Sequence, residues 1–345
     1  MRHNLTNWSW ITAIFLAAVA VTAGAQTARV IDRTTFVPLG GLEQWISIRG
    51  EDRSNPVLLV IHGGPGDAQW PEAEMYNPWE KSFTVVQWDQ RGAGHTFGCY
   101  GINTPDVTLD RISKDGVELA EYLCHQLGKK KIVVLGHSWG SIVATRMVQM
   151  RPDLFAAYVG TGQVTNWAAM VNTQYDLVLA KARKDGDQAT IKELEANRPD
   201  PTNAQQYFSF SGKYNVRALW APSDQAWLQH LRSQLPEIQA SNREQSKYLE
   251  EGMEFQSEHV LPDQLATNLP KTACHLDTAY FVIQGQNDIV TPTHAVIDYF
   301  KCVKSPKKEL ILIPNAGHFA FMTAANKFLE LLKSKVRPVA LARGG

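Results

Sequence analysis

Charge of one sign is what this sequence lacks most clearly. Lys and Arg together number 34, as do Asp and Glu, so the formal net charge is zero. No basic run is longer than the three lysines at 129–131. Nucleic-acid binding needs a concentrated positive surface, and we therefore expect no nucleic-acid partner.

Cysteine is scarce, and the four cysteines show no C-x-x-C spacing. They stand at Cys99, Cys124, Cys274 and Cys302. This spacing argues against a zinc site or a thioredoxin-like site. The glycine patterns that hold phosphate, G-x-x-x-x-G-K-[ST] and G-x-G-x-x-G, are absent as well.

The apolar run at residues 11–21 (ITAIFLAAVAV) is shorter than the ~20 residues that a membrane-spanning helix needs. Arg2 precedes it and the small residues 23–25 (AGA) follow it, which is the pattern of a cleaved signal peptide. We predict that residues 1–25 are removed, that the protein is periplasmic or secreted, and that no stable membrane association remains. A retained anchor is the alternative, because the apolar stretch extends back to Trp8.

Export favours disulfide bonds between an even number of cysteines, because the compartments outside the cytoplasm are oxidising. Cys274 lies shortly before one predicted strand and Cys302 near the end of the following helix, so both should lie at the N-terminal edge of the sheet. We predict that these two are bonded. Cys99 and Cys124 are the remaining pair, and four free buried thiols stay open as the alternative.

Strand patterns alternate with helix patterns along the chain. Predicted strands lie at 45–48, 57–61, 83–88, 132–135, 155–159, 279–284 and 309–313, and predicted helices at 110–127 and 320–335. This alternation predicts a mostly parallel sheet with helices on both faces. Residues 163–272 are mainly helical in pattern and interrupt the alternation, which predicts a cap between core parts 26–162 and 273–345. The cap leaves and returns where the strands end, the edge at which open α/β sheets bind ligands.

The stretch KIVVLGHSWGS at 131–141 joins a buried strand pattern to a helix pattern through Gly136-x-Ser138-x-Gly140. Glycines at both positions allow a sharp turn, which would expose Ser138 at the C-terminal end of the strand. That arrangement is the nucleophile elbow of the α/β-hydrolases. A Gly-Ser turn that caps an ordinary helix is the alternative, since the motif also occurs by chance.

The stretch HGGPG at 62–66 follows another strand pattern on the same edge. Its glycines let the backbone approach a ligand, and the N–H groups of Gly64 and Trp139 would form a two-donor oxyanion hole. A turn that serves only the chain path is the alternative.

Asp288 and His318 follow the strand patterns at 279–284 and 309–313. A serine hydroxyl needs a base to act as a nucleophile, and an imidazole base needs a carboxylate to orient it. Ser138, Asp288 and His318 stand in the chain order expected of this fold, and we predict that they are catalytic. His294 is the main rival base, but it lies inside a predicted helix.

Three motifs together resemble the signatures of the proline iminopeptidase family of serine peptidases: HGGPG at 62–66, WDQRGAG at 88–94 and GHSWGS at 136–141. The resemblance covers about residues 30–161 and 279–332. It implies an α/β-hydrolase fold with the cap inserted after the sixth strand, a Ser138–His318–Asp288 triad, and no metal or organic cofactor. It also implies release of an N-terminal residue, typically proline, from small peptides through an acyl-enzyme.

In that family, cap glutamates bind the free amino group of the substrate, and Glu251, Glu254 and Glu258 form an acidic cluster here. A solvated helix face is the alternative. The Trp-x-x-Trp-Glu stretch associated with the start of the cap in that family is absent, and residues 160–167 read GTGQVTNW instead. For Asp89 and Arg91 we predict an ion pair that stabilises the turn behind the oxyanion loop.

These observations predict an exported serine hydrolase, an aminopeptidase whose partner is a small peptide or another small-molecule substrate. An esterase or amidase acting on small acyl substrates is the alternative within enzymes, because the same triad serves both bonds. A non-catalytic binding protein on a hydrolase scaffold is the alternative of another class. Dehalogenases and epoxide hydrolases are disfavoured, since their elbow carries Asp where this chain has Ser138.

Overall fold

The computed structural model describes residues 30–345, so the predicted signal peptide lies outside the described residues. One eight-stranded sheet runs through them in the order β1-β2-β4-β3-β5-β6-β7-β8. The strands are β1 Ile31–Leu39, β2 Leu42–Gly50, β3 Val57–Ile61, β4 Thr84–Trp88, β5 Ile132–His137, β6 Phe155–Thr161, β7 Ala279–Gly285 and β8 Lys308–Ile313. The pairs β1–β2 and β2–β4 are antiparallel, and the others are parallel. The mostly parallel sheet and the α/β-hydrolase fold predicted from the sequence are confirmed.

Thirteen α-helices lie within the described residues. They are α1 Gly94–Tyr100, α2 Leu109–Leu127, α3 Trp139–Met150, α4 Trp167–Asp185, α5 Gln188–Ala196, α6 Ala204–Lys213, α7 Pro222–Ser241, α8 Arg243–Ala266, α9 Leu269–Thr272, α10 Thr293–Cys302, α11 Ala320–Thr323, α12 Ala325–Leu331 and α13 Arg337–Ala342. Short 3₁₀ segments at Trp70–Tyr76, Gly101–Asn103, Pro152–Leu154 and Val216–Leu219 and a π turn at Leu332–Val336 complete the set. None of these helices is long and apolar enough to cross a membrane.

Every residue of the central strands β3 to β7 is buried, because helices cover both faces of the sheet. One face packs on α2, α3 and α10, through side chains such as Leu119, Val143 and Tyr299. The other face packs on the C-terminal helices, through Phe321 and Phe328 among others. The sheet is therefore a rigid, doubly covered platform whose strand ends carry the site.

The helices α4 to α8, called the cap helices here, all lie between β6 and β7 in the chain. Tyr175, Leu194 and Phe210 belong to a small apolar cluster formed by α4, α5, α6 and the 3₁₀ segment Val216–Leu219. The boundaries 26–162, 163–272 and 273–345 as domain divisions remain predictions.

Cys274 and Cys302 are joined by a disulfide bond, with their Cα atoms 5.4 Å apart. Cys274 lies between α9 and β7, and Cys302 ends α10, as the sequence predicted. Cys99 is free and exposed and Cys124 is free and half-buried, so the remaining pair is not bonded.

Strand β1 and the C-terminal helix are among the elements that differ from the sequence prediction. Strand β1 was not identified, because its residues are mostly exposed and show no apolar alternation until Val37. The single helix predicted over 320–335 is divided, because the backbone of Ala324 is non-helical (φ −124°, ψ 39°) and separates α11 from α12.

Candidate active site

Ser138 occupies the tight turn between β5 and α3 with a positive φ of 52° and ψ of −122°. A Cβ atom at Gly140 would overlap the carbonyl oxygen of Ile61, and one at Gly136 would lie 2.5 Å from the carbonyl oxygen of Gly140. Both glycines are therefore required by close backbone packing. A non-glycine residue held at positive φ is uncommon and strained. Here the strained turn places the Ser138 side chain at the end of the strand.

His318 and Asp288 form a buried pair at the ends of β8 and β7. The Nδ1 atom of His318 lies 3.0 Å from Oδ2 of Asp288. Gln284 Nε2 and Thr291 Oγ1 also donate to Oδ2, at 2.8 and 2.6 Å, and the backbone N–H groups of Val290 and Thr291 donate to Oδ1. These donors fix the carboxylate, which in turn fixes the orientation of the imidazole.

The pKa of His318 is raised above its ordinary value. Burial of the ring lowers the pKa, but the charge and hydrogen bond of Asp288 and the charge of Asp224 together outweigh burial. The neighbouring His137 behaves in the opposite way, because burial and the charge of His318 hold its pKa well below the usual range. The two neighbouring imidazoles therefore differ in the direction of their pKa shift.

The loop 62–66 packs directly on the elbow. A Cβ atom at Gly63 would lie 3.2 Å from Cβ of Ser138, and Gly64 adopts a φ of +100°. Trp139 is the first residue of α3, where backbone N–H groups have no partner within the helix. Gly64 and Trp139 border the same cavity as Ser138, so the two predicted oxyanion donors face the space beside the predicted nucleophile.

The cavity beside Ser138 has a volume of about 580 Å³. Apolar side chains of the cap helices form part of its wall, and they include Trp167, Met170, Phe208 and Leu261. Three charged side chains also border it, and they are Glu254, Glu258 and Arg217. The volume falls within the range of small-molecule sites.

Two of the three cluster glutamates lie at this cavity. Glu254 and Glu258 are one helical turn apart on α8. Glu251 does not border the cavity; its carboxylate is exposed and lies 3.6 Å from Nζ of Lys247. Helical spacing alone placed it with the others, but it lies nearer the start of α8, beyond the end of the cavity.

Helix α8 rests on the loop that carries Gly64. The hydroxyl of Ser257 donates to the carbonyl oxygen of Pro65 at 3.2 Å, and a Cβ atom at Gly66 would lie 2.5 Å from Cα of Met253. Glu254 and Glu258 therefore border the cavity on the side of the proposed oxyanion hole.

The prediction that Asp89 and Arg91 form an ion pair with each other was wrong. Arg91 instead donates from Nε to Oδ2 of Asp115 on α2 at 2.8 Å, with both side chains buried. Asp89 accepts from Nδ1 of His95 at 2.8 Å. Neither residue borders the cavity. Both therefore have a structural role, but each one pairs with a residue of another element and not with the other.

Asp224, in the first turn of α7, contacts the histidine loop and was not found by sequence reasoning. Its Oδ2 accepts the backbone N–H of His318 at 2.6 Å, and its Oδ1 accepts that of Phe319 at 3.2 Å. The residue is only 1% exposed. An acidic residue in a first helical turn is common, so no sequence signal distinguished this one. A cap helix is thereby joined to the loop that holds His318.

His294, the rival base, is an exposed residue of α10 and does not border the cavity. Among the side chains that the structure describes, no group of three His, Cys, Asp or Glu residues is placed to hold a metal ion.

A family model described as the alpha/beta hydrolase fold matches residues 56–325. The chain belongs to the α/β-hydrolase family and is a hydrolase of that type.

Several individual proteins within this broad family are similar to the chain over most of its length. A probable aminopeptidase of Bacillus subtilis is 26% identical over 302 residues, 87% of this chain and 94% of that protein. A proline iminopeptidase of Lactobacillus delbrueckii subsp. lactis is 24% identical over 306 residues, 86% of this chain and 95% of that protein. The crystal structure of a proline iminopeptidase-related protein from Thermus thermophilus is 20% identical with a TM-score of 0.58, covering 91% of this chain and 98% of that one. The resemblance to the proline iminopeptidase family is confirmed.

Proposed function

We propose that the protein is a serine hydrolase that releases the N-terminal residue, proline or a similar residue, from small peptides. The observation that carries this proposal is one cavity bordered by Ser138, by the donors Gly64 and Trp139, and by the carboxylates of Glu254 and Glu258. The similarity to proteins named as aminopeptidases and proline iminopeptidases supports it.

The chemistry follows from the positions of the side chains. Nδ1 of His318 is hydrogen-bonded to Asp288, which leaves Nε2 as the basic nitrogen. Nε2 accepts the proton of the Ser138 hydroxyl as the hydroxyl oxygen attacks the substrate carbonyl. The N–H groups of Gly64 and Trp139 stabilise the negative oxygen that develops. His318 then gives the proton to the leaving amine as the C–N bond breaks. Water next attacks the acyl-enzyme with His318 again as base, and His318 returns the proton to the Ser138 oxygen as the acyl group leaves as a carboxylic acid.

Specificity for a free amino terminus needs a partner for its charge. A buried ammonium group is tolerated only when it is paired, and Asp288 already bonds His318. In the described part of the chain, Glu254 and Glu258 have no cationic partner. These two carboxylates are therefore the groups that we assign to the substrate ammonium.

Glu254→Gln or Glu258→Gln should raise KM for a proline-chromophore amide more than KM for an uncharged ester, by roughly tenfold, because a charge-assisted hydrogen bond to the ammonium is lost. Glu251→Gln is the matched control from the same helix and should leave both constants unchanged. Steady-state kinetics on both substrates, with the N-acylated amide as a third, measures this. Equal hydrolysis of the free and N-acylated amides would instead favour the esterase alternative.

That alternative has one observation in its favour. Much of the cavity wall is apolar and includes Trp167, Met170 and Phe208, and such a wall also suits the acyl chain of a small ester. A chain-length series of acyl esters, run beside the amides, ranks the two substrate classes by kcat/KM.

Asp224→Asn should move the acidic limb of the pH profile of kcat/KM to lower pH. The charge of Asp224 raises the pKa of His318, and the base must be unprotonated to act, so removal of the charge lets it act at lower pH. The plateau should fall roughly 10- to 100-fold as the loop loses one of its two hydrogen bonds to this side chain. Asp187→Asn, at the exposed N-cap of another cap helix, should leave the limb in place; an unmoved limb in Asp224→Asn would contradict the electrostatic role.

We also propose that the protein is exported to the periplasm or secreted. The Cys274–Cys302 bond supports this proposal, since disulfides persist in oxidising compartments. The mass of the mature chain from its native host tests it: a start near Gln26 is expected, and an intact Met1 would overturn export.

A further inference from the structure

Arg217 is the one cationic side chain among the described residues that border the cavity. It lies in the 3₁₀ segment Val216–Leu219 between α6 and α7. Its guanidinium stacks over the ring of Trp220 at 5.5 Å. No carboxylate among the described side chains pairs with it, and the chemistry proposed for Ser138 and His318 does not use it.

Arg217 and the two cavity glutamates border the cavity from different sides. The Trp220 ring that carries the guanidinium lies 6.4 Å from the ring of His318 and 6.3 Å from that of Phe319. Glu254 and Glu258 belong to α8, which rests on Pro65 of the oxyanion loop. The cavity thus carries its acidic side chains beside the oxyanion loop and its cationic side chain beside a ring, Trp220, that lies next to His318.

This polarity matches the two ends of a short peptide. The histidine of a serine hydrolase protonates the leaving amine, so the leaving group departs on the His318 side. The amino terminus of the acyl part then lies on the opposite side, where the glutamates are. A leaving group that is a single amino acid also carries a carboxylate, which a guanidinium binds with two parallel hydrogen bonds.

We propose that Arg217 forms a subsite for the C-terminal carboxylate of the substrate, so that dipeptides with both ends free are the preferred substrates. The inference rests on the proposed aminopeptidase activity. It adds a preference for the leaving group to the preference for the N-terminal residue. Longer peptides place a neutral amide where a dipeptide places its carboxylate, and they lose this contact.

The test compares Pro-Gly with Pro-Gly amide, which differ only at the carboxylate. Wild-type protein should favour the free acid by roughly tenfold in kcat/KM, as expected for one charge-assisted contact. In Arg217→Gln this ratio should fall to about one, and Arg217→Lys should retain part of it, because an ammonium keeps the charge but loses the two-bond geometry. Arg183→Gln, at an exposed arginine of α4 that pairs with Glu195, should keep the wild-type ratio.

Each outcome decides one of the two proposals. A wild-type ratio near one, or a preference that survives in Arg217→Gln, overturns the carboxylate subsite while leaving the aminopeptidase intact. If wild-type protein cleaves neither of the two peptides nor a proline-chromophore amide, the proposed aminopeptidase activity itself is overturned. Thermal unfolding of each variant confirms that a lost preference does not reflect a lost fold.

Discussion

Replacement of Ser138 by alanine should reduce kcat/KM on a proline-chromophore amide by roughly 10⁴-fold or more, to the level of residual binding and oxyanion stabilisation. The reason is that no acyl-enzyme can form without the hydroxyl. The fold should survive, because alanine is smaller and the turn is set by the close packing of Gly136 and Gly140. Turnover within tenfold of wild type would show that another group is the nucleophile.

A matched measurement of the thermal unfolding midpoint separates lost chemistry from lost structure. Ser138 sits at positive φ, so alanine inherits the same strained backbone and should leave the midpoint within a few degrees of wild type. A large decrease would mean that the side chain supports the fold, and a loss of activity would then say little about catalysis.

His318→Ala should be nearly as severe, roughly 10⁴-fold in kcat/KM, because the nucleophile and base act as one unit. The double variant Ser138→Ala/His318→Ala should therefore be no worse than either single variant. His294→Ala is the control, since this residue is exposed on α10, and it should stay within about twofold of wild type. An active His318→Ala beside an inactive His294→Ala would transfer the base to His294.

The sequence predicted the strand ends well because their signals are local. Gly136, Ser138 and Gly140 lie within five consecutive positions, and steric contacts within that turn decide its shape. The Asp288 and His318 loops likewise follow short apolar runs that end abruptly. Chain order then restricted how the three side chains could be combined.

Contacts between distant parts of the chain could not be predicted in this way. Asp224 and His318 are 94 residues apart in sequence, and nothing near Asp224 indicates that a backbone N–H from the loop after β8 will reach it. Arg91 was assigned to its sequence neighbour Asp89, yet its guanidinium reaches Asp115 on a helix. A long side chain selects its partner from the packed structure, and the pattern of the surrounding residues does not record that choice.

The acidic cluster shows the same limit on a smaller scale. Helical spacing places Glu251, Glu254 and Glu258 on one side of α8, but the cavity extends along only part of that helix, so two of them border it. Arg217, on the other side, was not predicted because a lone arginine in a short 3₁₀ segment carries no pattern. The polarity of the cavity is visible only once both sides are assembled.

Whether Ser138 is the nucleophile of this hydrolase can be decided by locating a covalent adduct. Wild-type protein is treated with a serine-directed phosphonate, digested, and mapped by tandem mass spectrometry. We expect one adduct per chain, on Ser138, and none in Ser138→Ala. An adduct on another residue, or equal labelling of Ser138→Ala, would contradict this assignment.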